Sequence, residues 1–168
     1  MRYTPAALAL SLLAAVTASA GFSASPQPMD SHASALLALG RSELAAGRVE
    51  QAIDAYESAL TVQPGSVAIL LSLAEATRRE GMQGKALHYY RQALLTDPRS
   101  LEAISGEGAA LVEKGAVDKA KRNLTRLQGL CGDSCDATRT LAAAIAKGPV
   151  PRMITAQDVK PQPVISEN

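Results

Sequence analysis

The sequence predicts an all-α fold: a short α-solenoid of about three helix-turn-helix repeats, closed by a C-terminal capping helix. Three observations predict it. The first is a 34-residue period. It relates Pro64 to Pro98, Tyr56 to Tyr90, Gly47 to Gly81, Ala52 to Ala86, Ala59 to Ala93, Leu36 to Leu70 and Leu39 to Leu73. A fixed period of this length marks stacked repeats. The second is punctuation by glycine and proline at constant offsets, with Gly115 one more period after Gly81. The third is the recurrence of apolar residues at three- and four-residue spacing, the pattern of a helix with one buried face.

Each recurring residue has a physical reason to recur. Proline cannot continue a helix, so Pro64 and Pro98 mark where one helix pair ends and the next begins. Glycine tolerates positive φ, which suits Gly47 and Gly81 to the tight turn inside a pair. Small residues at Gly40, Ala74 and Gly108 allow close helix approach, and the aromatics at Tyr56 and Tyr90 fill the space between layers.

In this pattern the chain resembles the tetratricopeptide repeat (TPR) family. From Ala33, the family's Leu-Gly pair falls on Leu39 and Gly40. Its small residues fall on Ala52 and Ala59, its aromatic on Tyr56 and its terminal proline on Pro64. The second copy matches through Leu73, Ala74, Ala86, Tyr90, Ala93 and Pro98. The third keeps Gly108, Gly115 and Ala120, but Leu124 and Leu127 replace the aromatic and the small residue, and Gly132 stands where proline is expected. The family's early tryptophan and mid-helix tyrosine are missing from all three copies; Glu43, Thr77 and Leu111 occupy the tyrosine position. The resemblance covers roughly 33–130.

The chain divides as follows. Residues 1–20 read as a cleaved secretory signal peptide, with Arg2, an apolar run from Ala6 to Val16, and Ala18-Ser19-Ala20 before the cleavage point at Gly21. An uncleaved inner-membrane anchor is the alternative. Cleavage leaves 16 of the 17 basic residues against 16 acidic ones. Such a balance leaves no basic footprint for nucleic acid. Residues 21–30 read as a flexible linker, with Asp30 or Ser31 capping the first helix. Residues 31–147 form the repeat domain, as repeats 33–66, 67–100 and 101–131 and a capping helix 136–147. Helices are expected at about 31–46, 49–62, 67–80, 83–96, 101–114, 116–130 and 136–147. Ser66 and Ser100 are expected as caps of the third and fifth, and Ser134 or Asp136 as cap of the last. Leu36, Leu37, Leu39 and Leu44 are expected on the apolar face of the first helix. Leu141 and Ile145 are expected to face the third repeat. Residues 148–168 carry Pro149, Pro151, Pro161 and Pro163 and read as an extended or disordered tail.

Little in the sequence supports catalysis. His32 and His88 have no triad partners on their own elements, so no catalytic, cofactor or metal-ligand residues are assigned. Cys131 and Cys135 are the only cysteines. An even pair this close in an oxidising compartment reads as a disulfide that sets the angle of the capping helix. A thiol-exchange or metal-handling role for the pair is the alternative function. Lys119, Lys121, Arg122 and Arg126 cluster on the sixth helix and read as a solvated face balanced by Asp118.

The resemblance implies a peptide site on the concave wall, lined by the first helix of each pair. The candidates are Leu37, Arg41, Leu44 and Ala45 in the first copy. The second supplies Leu71, Glu75, Arg78 and Arg79, and the third Glu102, Ser105, Ala109, Val112 and Glu113. Relatives that clamp the acidic C-terminus of a cytosolic chaperone use cationic and amide side chains at set positions. Here those positions hold Leu37, Arg41, Ser72, Glu102 and Gly106, so the clamp is absent. The expectation is a non-enzymatic interaction scaffold, exported to the periplasm of a bacterium, that binds another envelope protein or peptide. Cleavage of the leader would leave it without an integral membrane segment. The sequence does not indicate an oligomeric state.

Overall fold

The computed structural model describes residues 28–149. Seven helices run through them in the order α1 (Ser31–Ala45), α2 (Val49–Val62), α3 (Val67–Arg79), α4 (Gln83–Thr96), α5 (Leu101–Glu113), α6 (Val117–Cys131) and α7 (Asp136–Lys147). No strand occurs among the described residues. The proposed signal peptide, most of the linker and the tail beyond Pro149 lie outside them.

One turn, repeated three times, sets the architecture. Gly47, Gly81 and Gly115 adopt φ of 79°, 80° and 82°. After each, two amides return to the preceding helix. Gly47 donates to Leu44 at 3.2 Å and Arg48 to Glu43 at 2.9 Å. Gly81 and Met82 donate to Arg78 and Thr77, and Gly115 and Ala116 to Val112 and Leu111. This is the paired bonding of a Schellman cap, which satisfies the orphan carbonyls of a helix end and reverses the chain. Each pair α1/α2, α3/α4 and α5/α6 is thereby folded back on itself. The pairs stack in order, and α7 packs against α5 and α6.

Helix starts are less uniform. Asp30 Oδ1 accepts from the amides of His32 at 2.8 Å and Ala33 at 3.2 Å, and Ser100 Oγ from Ala103 at 3.2 Å. Ser66 stands at the cap position of α3 but makes no side-chain cap bond. At α7 the cap position belongs to Cys135, and neither Ser134 nor Asp136 caps the helix. Asp136 instead sits in the first turn, where its charge faces the positive end of the helix dipole. The final residues of the linker are docked: Met29 packs on the core, and the Asp30 amide donates to Gln63 Oε1 at 2.9 Å.

The core runs continuously from Ala33 to Leu141. The same repeat position is buried or exposed according to its neighbours. Leu70 and Leu73 are buried in the second copy, whereas Leu39, their first-copy counterpart at one of those positions, is 49% exposed and Leu36 only half-buried. No repeat precedes α1 among the described residues to cover that side. A solenoid repeat needs its neighbours to bury both faces. At the other end α7 supplies the cover, with Leu141 wholly buried and Ile145 partly so.

Candidate peptide-binding groove

The first helix of each pair faces one side of the stack, and on this side two clefts run into each other. One, of about 550 Å³, lies between α3, α5 and α7 with Tyr90 at its edge. The other, of about 540 Å³, lies between α1, α3 and α5. Leu71, Glu75 and Glu102 line both, so they form one groove across four helices.

The sequence candidates separate here. Arg41, Leu44, Leu71, Glu75, Arg78, Arg79, Glu102, Ser105 and Ala109 line the groove. Leu37 and Val112 do not: they are 4% and 3% exposed and belong to the core. The reason is rotational phase. On α1 the buried stripe is Ala33, Leu37 and Gly40. A four-residue step overshoots a full turn by about 40°, which carries Arg41 out onto the groove while Leu37 stays in. On α5, packed on three sides, only Leu101, Glu102, Gly106, Glu107, Ala109 and Glu113 escape full burial, and Val112 is not among them. Ala45 is exposed but lines neither cleft.

The groove's charges fall into two kinds. At its centre Glu75 is saturated. Arg78 donates to it through Nη2 at 2.9 and 3.1 Å and through Nε at 3.1 Å, Arg79 through Nε at 2.8 Å, and the Tyr90 hydroxyl at 3.4 Å. Arg78 also pairs through Nη1 with Glu113 of the next repeat, tying α3 to α5. Burial pushes the Glu75 carboxyl up, but its arginine partners outweigh this and hold it below the usual range. Arg78 is likewise disfavoured by burial and more than compensated by Glu75 and Glu113, so its cation is held more firmly than usual. Burial first, and the Glu75 carboxylate second, push the Tyr90 phenol well up. Arg41 and Glu102 are different. Both line the α1–α3–α5 cleft, and neither has an ion-pair partner among the described residues.

Several groove residues carry no repeat signal in the sequence. Asp136, Ala137 and Thr140 line it because α7 takes the place of a fourth inner helix. Ser105, a groove candidate, spends its hydroxyl on the Ala137 carbonyl at 3.1 Å and so holds that wall in place. Gly106 lies under the Tyr90 ring, where a Cβ would meet Cε1 at 2.4 Å.

Away from the groove, the Cys131 and Cys135 sulfurs are 2.01 Å apart, with Cα atoms separated by 5.9 Å. Thr138 is buried beside them, its hydroxyl 3.3 Å from Cys135 Sγ and donating to the Gly132 carbonyl at 2.9 Å. His32 and His88 are exposed, and the His88 ring meets only the edge of Tyr89. On α6, Lys121 pairs with Asp118 at 3.7 Å and Arg126 reaches the Pro98 carbonyl, while Lys119 and Arg122 face solvent. Among the described residues no helix is long and apolar enough to cross a membrane.

The tetratricopeptide repeat family model matches residues 33–76, the first copy and part of the second. No curated protein matches the sequence. Solved structures share the fold. The TPR domain of Sgt2 from Aspergillus fumigatus superposes with a TM-score of 0.64 at 24% identity, covering 86% of this chain and 95% of that one. The first TPR of Spaghetti (RPAP3), bound to the HSP90 peptide SRMEEVD, gives 0.61 at 23%, covering 68% and 94%. A tetratricopeptide repeat protein of Parabacteroides merdae gives 0.62 at 23%, covering 68% of this chain and 44% of that one. The chain therefore has the TPR-type solenoid fold, with a TPR sequence match over 33–76.

Proposed function

We propose that this chain is a non-enzymatic adaptor of the bacterial cell envelope, which holds an extended or helical segment of a partner protein in its concave groove. The observation that carries the reading is the groove itself. Its walls are fixed by the Glu75–Arg78–Glu113 network, and it presents a cation at Arg41 and a carboxylate at Glu102, each without an ion-pair partner among the described residues, and an apolar floor at Leu44 and Leu71. Rigid walls with a few unsatisfied polar groups are what peptide recognition requires. Repeat folds of this kind bring partners together and leave chemistry to them.

An HSP90-type acidic tail is not the ligand of this reading. Leu37 is in the core, Gly106 presents no side chain, and Glu102 would repel a carboxylate. The envelope assignment rests on the leader-like residues 1–20 and on the cysteine pair, which we read as a structural disulfide of an oxidising compartment. Its sulfurs lie against a buried threonine with all three groups engaged, which favours a structural bond over thiol exchange.

The test is crosslinking and capture from an envelope fraction, with Arg41→Glu and Glu102→Arg as groove variants. A specific partner lost from both variants is expected. Recovery of the wild type only as a free monomer overturns the adaptor reading. Intact mass after alkylation tests the rest: an N-terminus at Gly21 and no alkylated cysteine are expected, and a full-length chain with two alkylated thiols would sink the envelope assignment.

A further inference from the structure

We infer that the outer face of the stack, formed by α2, α4 and α6, joins two copies of this chain about a two-fold axis running along α4. Asp54 of each copy then faces Arg122 of the other. This face lies away from the groove, and the inference does not rest on the groove reading.

The outer helices carry their charge unevenly. α2 holds three acids and no base, α4 two bases and no acid, and α6 four bases against one acid. Part of this is met within the chain: Lys85 pairs with Glu57, Arg91 with Glu107 and Lys121 with Asp118. Glu50 and Asp54 on α2, and Lys119 and Arg122 on α6, have no ion-pair partner among the described residues. All four are exposed. The repeat sets them level with each other. Asp54, His88 and Arg122 stand at one repeat position, 34 residues apart, and Gln51, Lys85 and Lys119 at another, beside Glu50. Along the face, one position therefore reads acid, imidazole, base.

A two-fold axis along α4 reverses the order of the helices and keeps their direction. It sets α2 on α6 of the second copy, with Asp54 on Arg122 and Glu50 beside Lys119, and each contact is made twice. Asp118, level with Glu50, is already held by Lys121. An axis across the helices would instead set α2 on α2, acid on acid. Single surface ion pairs contribute little, so an apolar centre is needed. Leu95 supplies it. It lies on α4 at 84% exposure and edges a cleft of about 350 Å³ with Leu60, Pro64 and Leu70. Near the axis, each copy's Leu95 meets the other's over these clefts. The backbones of the inner helices approach one another, whereas those of the outer helices do not. The outer face therefore bulges at α4, where the apolar centre lies, and the long Lys119 and Arg122 side chains reach across on either side. In the dimer the two grooves face away from each other, so a partner with two matching segments is held with avidity.

Sedimentation velocity of the purified chain over a range of concentrations tests this. A monomer–dimer equilibrium weakened by salt is expected. Asp54→Arg and Arg122→Asp should each raise the dimer Kd at least about tenfold, since each turns two attractive contacts into repulsive ones. Both changes in one chain should restore the wild-type value. Leu95→Cys should give a disulfide-linked dimer on mild oxidation. Unchanged circular dichroism, expected because every substituted position is exposed, separates loss of contact from loss of fold. A monomer at every concentration overturns the inference and returns these charges to solvent. So do oligomers that keep growing with concentration, which would mean an open head-to-tail contact. A dimer indifferent to the charge reversals, or a double variant that stays monomeric, overturns it as well.

Discussion

The two tyrosine joints and the joint that follows them solve the same packing problem with different parts. Tyr56 and Tyr90 occupy the same repeat position and are both buried, but the glycine that makes room for the ring lies on a different side of each. A Cβ on Gly40 of the same repeat would meet the Tyr56 ring at 2.3 Å, while a Cβ on Gly106 of the next repeat would meet the Tyr90 ring at 2.4 Å. The glycine has changed sides. Ala74 stands where Gly40 would recur, and Gly106 where Ser72 would. In the third copy Leu124 replaces the tyrosine, and Leu141 of α7 comes to within 2.6 Å of where a Gly108 Cβ would be. An aromatic position that looks like a simple repeat is therefore held by a glycine placed separately at each layer, and where the aromatic is lost a later helix fills the gap.

The largest effects should distinguish these joints. Tyr56→Ala removes a fully buried ring and should cost about 4 kcal/mol, with loss of protection throughout the stack. Leu141→Ala, at 0% exposure, should cost about 3 kcal/mol. Its loss should be concentrated in α7, because among the described residues that helix has neighbours on one side only. Chemical denaturation gives the totals and native-state hydrogen exchange the distribution. Uniform loss of protection in both variants would show that α7 is as integral as the repeats.

The cysteine pair comes next. Closing so short a loop stabilises by about 2 kcal/mol at most on chain-entropy grounds. Cys131→Ser with Cys135→Ser should lower stability by that amount or less and raise exchange chiefly in α7. A cost well beyond it would mean that the sulfurs also pack as core.

The glycines sharpen the comparison further. Alanine gains about 1 kcal/mol over glycine in a helix interior. At Gly84, the second residue of α4, nothing lies within 4 Å of an added Cβ, so Gly84→Ala should stabilise by a fraction of that amount. At Gly40 and Gly106 the Cβ drives into a buried ring, and overpacking of this kind costs about 1–3 kcal/mol. Net destabilisation is expected at both, read from thermal midpoints of the three variants. The same sign at all three would refute the side-changing joint.

The helix pairs and turns were legible because their signals are local. Gly47, Gly81 and Gly115 need only a positive φ, and every helix falls within a residue or two of its expected bounds. What was not legible depends on phase and on distant partners. Period 3.6 identifies a buried stripe but does not separate Leu37 from Arg41, or Val112 from Glu113, when a helix is packed on several sides. Nothing local marks Ser105 as a donor to Ala137, 32 residues on, or tells on which side a tyrosine will find its glycine. Ser66 shows the converse: the residue type of a cap without its bond.

The smallest effect is the most discriminating, because it reads the groove's field at the two joints. Burial raises the phenols of both Tyr56 and Tyr90, but their neighbours differ. Arg41 and Arg79 draw Tyr56 back down, whereas the Glu75 carboxylate pushes Tyr90 further up, with only Arg78 against it. Ultraviolet titration of tyrosinate, on a Tyr89→Phe background, should show Tyr56 ionising before Tyr90. Arg41→Ala should raise the first, and Glu75→Gln should lower the second. The sign for stability follows. A phenol raised in the folded state is neutral there while the unfolded chain ionises near the usual value of 10.0. Its contribution is complete below that pH and is lost as pH rises through the folded value. Glu75 acts at the other end. Its carboxyl is depressed from 4.5, so its contribution is present above that pH and lost as pH falls through the folded value. Glu75→Gln should therefore flatten the acid limb of the stability profile, and Tyr90→Phe the alkaline limb. If Tyr90 instead ionised first, the Glu75 carboxylate would not be facing its hydroxyl, and the network described for the groove would be wrong at its centre.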